Sequence, residues 1–295
     1  MKKILLLGKN GQLGWELQRA LAPLGELVAF DLPDVDFSQP ESLARMVREC
    51  QPDIIVNAAA HTAVDKAESE AALAHAINTE APGVLAREAA ALGAWLMHYS
   101  TDYVFDGSGT HARDEEAPTG PLSVYGRTKL GGEERVRASG CRHLIVRTSW
   151  VYAARGGNFA KTMLKLAAER DRLTVIADQI GAPTGADTLA DISAHMLHTV
   201  QSRPELTGTY HAVASGETSW HGYAQFIIQE AQAMGAPFKA SLEAIKPVPT
   251  CDYPTAAQRP LNSRLATAKL SREFGLSLPP WQWGVRRMLT EVLGR

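Results

Sequence analysis

Residues 2–21 read KKILLLGKNGQLGWELQRAL. Four aliphatic residues, Ile4 to Leu7, run straight into Gly8, and glycines recur at 11 and 14 within a segment of helical period. A short, continuously apolar run closed by glycine reads as a strand buried on both faces, and the segment at roughly 12–22 as a helix. Gly8 permits the tight turn, Gly11 lets backbone N–H groups approach a pyrophosphate, and Gly14 lets the helix lie close on the strand. The helix start offers unpaired N–H groups and a partial positive charge to an anion. A glycine pattern alone is weak evidence where 24 of 295 residues are glycine, but this one sits in the order strand, turn, helix.

Moving outward, the next strand, Leu27–Phe30, ends at Asp31. A carboxylate there can accept hydrogen bonds from an adenosine ribose and repel a 2′-phosphate. No Arg or Lys follows in LPDVDFSQ, so NADH is favoured over NADPH. The competing reading is that Asp31 only caps a loop. Further strands are expected at Ile54–Val56, Trp95–Tyr99 and Leu144–Arg147, with helices near 40–50, 81–93 and 123–138. Apolar strands alternating with helices define an α/β, Rossmann-like, doubly wound parallel sheet. Beyond Arg147 the alternation loosens into a helix near 158–170, the strand-like LTVIAD, a helix near 187–201 and the strand-like GTYHAVAS. From about Ser219 the chain is punctuated by Pro247, Pro249, Pro254, Pro260, Pro279 and Pro280, which reads as a loop-rich region over the sheet's carboxyl edge. The expected division is a dinucleotide-binding domain of residues 1–152 plus about 186–216. A smaller, discontinuous substrate domain takes about 153–185 and 217–295.

A net charge of −2 gives no electrostatic reason to expect nucleic acid or an anionic membrane as partner. The three scattered cysteines form no metal or disulfide spacing, and no apolar run approaches a membrane span, so a reducing cytoplasm is the expected setting.

The second decisive stretch is YGRTK, residues 125–129. Seven tyrosines and ten lysines give ~0.2 such pairs by chance, so a solvated helix face competes with function until the context is added. That context is the fourth strand, whose HYSTDYVFDG delivers Ser100, Thr101 and Asp102 to the edge where such sheets bind ligands. Tyr125 and Lys129, at i and i+4, point from one helix face toward it. Reducing a ketone puts charge on its oxygen, which needs a proton. Tyr125 can supply one, Lys129 can favour the phenolate and bond a nicotinamide ribose, and Thr101 can hold the substrate oxygen. Asn57 and the small residues 58–60 end the third strand, and His61 is read as structural or cofactor-contacting rather than as a base. The glycines at 126, 131 and 132 suggest close packing beside the cofactor.

These motifs, with VNAAAHTAVDKAE, RTSWVYA, NFAKTML, DQIGAPTGA and RPLNSRL, resemble the extended short-chain dehydrogenase/reductase superfamily. The resemblance implies reduction of the C4 ketone of a dTDP-sugar, with NADH or, as second candidate, NADPH. It implies dinucleotide contacts at Gly11, Gln12, Leu13, Asp31, Asp36, Phe37, Ala60, His61, Thr62, Tyr99, Tyr125 and Lys129. Substrate contacts are implied at Thr101, Asp102 and Trp150, and diphosphate contacts at Asn158, Lys161, Arg259 and Arg264. It also implies a homodimer and a Mg²⁺ ion held by Glu16, Asp187 and Glu291, of which Asp187 departs from the family's glutamate. Two alternatives stay open. One is a sugar-nucleotide epimerase or dehydratase of the same fold, although Tyr103 stands where a dehydratase needs a second carboxylate. The other is a regulatory subunit like the β subunit of methionine adenosyltransferase.

Overall fold

The computed structural model describes residues 1–294. Among them β1 (Lys2–Leu7) leads into α1 (Gln12–Leu21), β2 (Gly25–Phe30), α2 (Pro40–Cys50) and β3 (Ile54–Asn57). Short helices α3 (Val64–Ser69) and α4 (Ala71–His75) follow, and a π-helical turn at Ala76–Glu80 continues into α5 (Ala81–Leu92). Next come β4 (Trp95–Thr101), α6 (Val124–Ala138) and β5 (Arg142–Thr148). The chain then forms β6 (Val151–Tyr152), α7 (Phe159–Glu169), β7 (Leu173–Ile176), β8 (Ile180–Gly181) and β9 (Thr184–Gly185). It continues with α8 (Ala186–Thr199), β10 (Gly208–His211), β11 (Thr218–Ser219) and α9 (Trp220–Ala233). β12 (Ile245–Val248), α10 (Ala268–Phe274) and α11 (Trp281–Leu293) end it.

Six of these strands form one sheet in the order β10-β5-β4-β3-β1-β2, and every pairing is parallel. The reason is visible in β1. Successive strand side chains point to opposite faces. Ile4 and Leu6 pack with Leu17, Leu21 and Leu189 on one face, whereas Leu5 and Leu7 pack with Leu43, Val47 and Leu85 on the other. A strand covered on both sides must be apolar throughout, which is why its sequence does not alternate. The order reverses between β1 and β3, and ligands of such sheets sit at that reversal, beyond the strands' carboxyl ends.

The glycine turn is tight for a stated reason. Gly8 has φ of 85°, and a Cβ there would come within 2.7 Å of the Ala59 nitrogen. A Cβ on Gly14 would collide with the Gly8 carbonyl oxygen.

The region from Ser219 departs from the loop-rich expectation. Helices α9 and α11, 14 and 13 residues long, pack together through Tyr223, Ile227, Trp281 and Val285. Pro280 stands at a joint, as the N-cap of α11, where a missing N–H breaks no helical bond, whereas Pro247 lies inside β12. Pro280 thus marks a helix boundary rather than a loop-rich stretch. Short parallel or antiparallel pairs, β6·β9, β7·β12 and β8·β11, tie this cover together. Among the described residues no helix is long and apolar enough to cross a membrane.

Candidate active site

A cleft of ≈ 800 Å³ opens at the carboxyl ends of β1, β3, β4 and β5. Gly8, Gly11, Gln12, Leu13, Asp31, Phe37, Ala60, Thr62, Tyr99, Thr101, Asp102, Tyr125, Lys129 and Trp150 all line it. Gly14, Asp36 and His61 do not. Gly14 lies under the turn, and Asp36 gives its carboxylate to the Ser38 N–H and hydroxyl at 2.9 and 2.7 Å. His61 turns Nε2 to Glu70 at 3.0 Å, and its backbone N–H donates to the Asn78 side-chain oxygen at 2.8 Å.

At the β1 end the wall is mostly backbone. The N-cap of α1 is Gly11, in extended conformation and with no side-chain cap, so the helix's first N–H groups have no side-chain acceptor. That suits a pyrophosphate. The Asp31 carboxylate accepts from the backbone N–H groups of Asn10 and Leu32, both at 2.8 Å, so it does brace the glycine loop. A cation also stands at this edge: the Lys9 ammonium bonds the Ala29 carbonyl at 3.3 Å and Asp34 at 3.0 Å. No Arg or Lys follows the second strand in LPDVDFSQ, and this cation comes instead from the glycine loop, which folds Lys9 back to the end of β2.

At the β4–α6 end the wall is side chains. Helix α6 begins at Ser123, whose hydroxyl accepts from the Gly126 N–H at 3.1 Å. A Cβ on Gly126 would strike the Tyr103 carbonyl, and one on Gly132 the Asn78 carbonyl. These glycines therefore seat α6 on protein backbone rather than beside a cofactor. The seating buries Lys129 and leaves Tyr125 half-buried. Tyr103 meets the Tyr125 ring edge-on at 5.5 Å between centroids. Burial pushes the Tyr125 phenol up to about 12, with Thr101 pulling it back and Asp102 adding to the rise. Lys129 donates to the Tyr99 carbonyl at 2.6 Å; burial lowers its pKa to about 8 against the pull of Glu133. The expected lowering of the Tyr125 phenol by Lys129 is thus not met, because a desolvated phenolate costs more than the neighbouring groups return. Tyr99 offers its carbonyl, while its phenol points away to Ser193 at 2.7 Å. The Thr101 hydroxyl donates to Asp102 at 3.1 Å, and burial raises the Asp102 carboxyl to about 6 against hydrogen bonds from Ser263 and Thr101.

Trp150 adopts φ of 49°, a left-handed conformation that a bulky residue rarely takes. Its indole stacks on Trp220 at 3.7 Å and 14°. Trp220 in turn donates to Gln179 at 3.1 Å, and Gln179 to the Thr250 hydroxyl at 3.1 Å. Trp220 lines the cleft and escaped the sequence reading. No spacing links it to Trp150, and only the general use of tryptophan at binding surfaces pointed there.

The four implied diphosphate contacts, Asn158, Lys161, Arg259 and Arg264, stand outside the lining of this cleft, although Arg259 also bonds Tyr103, which lines it. Asn158 caps α7 and touches the site only by donating to Gln12 at 3.0 Å. Lys161 bonds the carbonyls of Ala154 and Gly156, Arg259 pairs with Asp65, and Arg264 with Glu217. The Mg²⁺ set is corrected. Glu16 is raised by burial first, and Asp187 and Glu291 add to that, so the three acids do approach one another. Arginines answer them: Arg19 lies 3.6 Å from Glu16, and Arg287 lies 3.4 Å from Asp187 and 3.5 Å from Glu291. Among the described residues no group of His, Cys, Asp or Glu could hold a metal ion, so these acids do not fit one.

A glycine turn under a reversed strand order, with a Thr-Tyr-Lys wall opposite, defines the short-chain dehydrogenase/reductase class of dinucleotide site. The family described as "RmlD substrate binding domain" matches residues 1–293. The dTDP-4-dehydrorhamnose reductase of Escherichia coli (strain K12) is 55% identical over 293 residues, covering 98% of this chain and 97% of that protein. The crystal structure of dTDP-4-dehydrorhamnose reductase from Bacillus anthracis in complex with NADP is 36% identical, with a TM-score of 0.90 over 98% of this chain and 99% of that one. The dTDP-glucose 4,6-dehydratase DesIV of Streptomyces venezuelae, 19% identical over 99% of this chain and 97% of that one, shares the fold at a TM-score of 0.81. The chain belongs to the dTDP-4-dehydrorhamnose reductase (RmlD) family.

Proposed function

We propose that this chain reduces the C4 ketone of dTDP-4-dehydro-L-rhamnose to dTDP-L-rhamnose, using a reduced nicotinamide dinucleotide seated on the glycine turn. The observation that carries this reading is the meeting of Thr101, Tyr125 and Lys129 on the wall facing that turn. A bound NADH or NADPH would supply the hydride that the ketone carbon takes. The carbonyl oxygen then needs a proton, and Tyr125 gives it. A phenol pushed up to about 12 is fully protonated at neutrality, the state a proton donor needs. Thr101 orients the oxygen, and Lys129, whose ammonium persists below about pH 8, stands by the phenolate left after transfer. Trp150 and Trp220 form an aromatic shelf for the nucleotide sugar. At the ribose edge Asp31 favours NADH, while Lys9 makes room for the charge of NADPH.

For the chain's organisation, the reading assigns dinucleotide binding to residues 1–152 and about 186–216, and substrate binding to the remainder. It keeps a homodimer, to which the exposed Trp15 of α1 and Trp283 of α11 could contribute apolar surface. Sedimentation would test that assembly.

The test of activity is consumption of NADH and of NADPH by purified protein given dTDP-4-dehydro-L-rhamnose, with the sugar product identified. Tyr125→Phe is expected to lose ~10²–10⁴-fold in kcat while binding cofactor as before. Retained turnover in that variant removes Tyr125 as donor. Tightly held NAD⁺ with no net consumption would turn the reading to an epimerase or dehydratase.

A further inference from the structure

Hydrogen bonds have a direction, and at one corner of the cleft that direction passes from α7 to α1. Asn158 is the N-cap of α7, and its side-chain oxygen accepts from the Lys161 N–H at 3.1 Å. A backbone N–H can only donate, so the oxygen of this amide faces α7 and its nitrogen faces away. That nitrogen donates twice, to the Ala153 carbonyl at 2.7 Å and to the Gln12 side-chain oxygen at 3.0 Å. The polarity is thereby handed on. Gln12, the first residue of α1 and part of the cleft lining, must turn Oε1 to Asn158. Its own NH2 stands on the other arm of the amide, and among the described residues it donates to no protein acceptor.

The segment from Ala153 to Asn158 is held against this spot by further contacts. Gly156, at φ of 77°, lies over Gln12, where a Cβ would stand 3.2 Å from the Gln12 Cγ. Lys161 ties the carbonyls of Ala154 and Gly156 at 2.9 and 2.7 Å. Arg155 lays its guanidinium over the Trp15 ring, 3.9 Å from the centroid. The result is a strap from β6 to α7, fastened to the start of α1 at two residues. The identity of the cap fits this arrangement. Ser, Thr and Asp cap a helix as Asn does, but only Asn adds an amide donor to the capping oxygen.

We propose that Asn158 is a positioning residue for the dinucleotide: by bonding Oε1 it fixes Gln12 with the NH2 toward the glycine turn, as a donor to the pyrophosphate. This rests on the reading that the dinucleotide is seated on that turn. Asn158 touches no ligand itself. Without it Gln12 would present its oxygen, an acceptor, to the anion as readily as its nitrogen, and a fixed donor would become a free rotor.

The experiment is a titration of purified protein with NADH, followed by fluorescence, and separately with dTDP as a probe of the substrate's diphosphate. The variants are Asn158→Ser, Asn158→Thr, Gln12→Leu and the paired N158S/Q12L. Ser and Thr keep the cap of α7 and drop the amide donor, so melting should change little. Asn158→Ser is expected to weaken NADH about three- to tenfold, the range of one hydrogen bond's net contribution, and to leave dTDP as before. Gln12→Leu should weaken NADH at least as much. Adding Asn158→Ser to it should cost less than about twofold more, because Asn158 acts only through Gln12. Asn158→Thr reads the same quantity should the serine variant fail to fold. Unchanged NADH affinity in a folded cap variant overturns the proposal. So does a full further loss in the paired variant, which would make Asn158 a brace of the strap alone. A loss confined to dTDP overturns it too, and makes Asn158 a contact of the substrate's diphosphate. Failure of the underlying reading looks different. Gly11→Ala, whose Cβ would meet only the Gly8 carbonyl oxygen at an ordinary 3.5 Å, would then bind NADH as tightly as the unsubstituted protein.

Discussion

The two ends of the cleft solve the same problem by different means. At the β1–α1 end, the wall is built from backbone: a glycine at positive φ, a helix start without a side-chain cap, and a carboxylate bracing the loop. At the β4–α6–β5 end the wall stands on titratable groups: Lys129, Glu133, Arg147 and Asp102 are buried, and Tyr125 is half-buried. The first end needs space, and little desolvated charge. The second holds charges that water no longer solvates, and each needs a partner. Rigidity at one end comes from steric exclusion, at the other from electrostatic compensation.

That contrast can be broken or sharpened by substitution. The largest effect is expected from Arg147→Met, which strands the buried Glu133 carboxylate, taking away its bonds at 2.8 and 2.7 Å and leaving the one from Arg137 at 3.0 Å. A loss of about 3–5 kcal/mol in urea unfolding should follow, and a loss below ~1 kcal/mol would mean that Arg137 alone suffices. Next comes Asp102→Asn, with the opposite sign. The Asp102 pKa stands at about 6, above the ordinary 3.8. The folded chain therefore binds the extra proton between those values, and stability falls as pH rises through that window. At pH 7 the amide variant should be the more stable by roughly 2–3 kcal/mol, the free energy of a two-unit shift, and melt a few degrees higher. Near pH 4 the advantage should vanish. The same melting temperatures at pH 7 would mean that water reaches the carboxylate. The smallest effect belongs to the backbone end. Gly14→Ala places a methyl against the Gly8 carbonyl, and about 1–3 kcal/mol should be lost, with no dependence on pH.

The same contrast explains what could be read from the chain. Backbone constraints write themselves locally, so KKILLLGKNGQLGWELQRAL announced its strand, turn and helix to within a residue or two. The YGRTK pair was legible because i and i+4 share a helix face. The ion pair beneath it was not: Arg147 comes from the next strand, and no local spacing joins it to Glu133. Trp220 stayed hidden for the same reason, reaching Trp150 across 70 residues of chain through a stack that only the fold creates. The place of Lys9 was not legible, because its return to the end of β2 depends on how the loop closes. The Glu16, Asp187 and Glu291 set was implied by resemblance; the arginines beside those acids are what the chain itself adds.

Trp150 has a consequence for how this chain can change over generations. Its backbone sits where glycine or asparagine would be more comfortable. Every such replacement would be welcomed by the main chain and resisted by what the indole packs against, Trp220 and Gly181, and by its place in the cleft. On the proposed reading of the cleft, the position behaves as a ratchet under tension: while the site is used the ring is kept, and once use lapses relaxation is downhill. A descendant of this fold that had given up its substrate would be expected to drop this indole early, long before its sheet lost any trace of kinship.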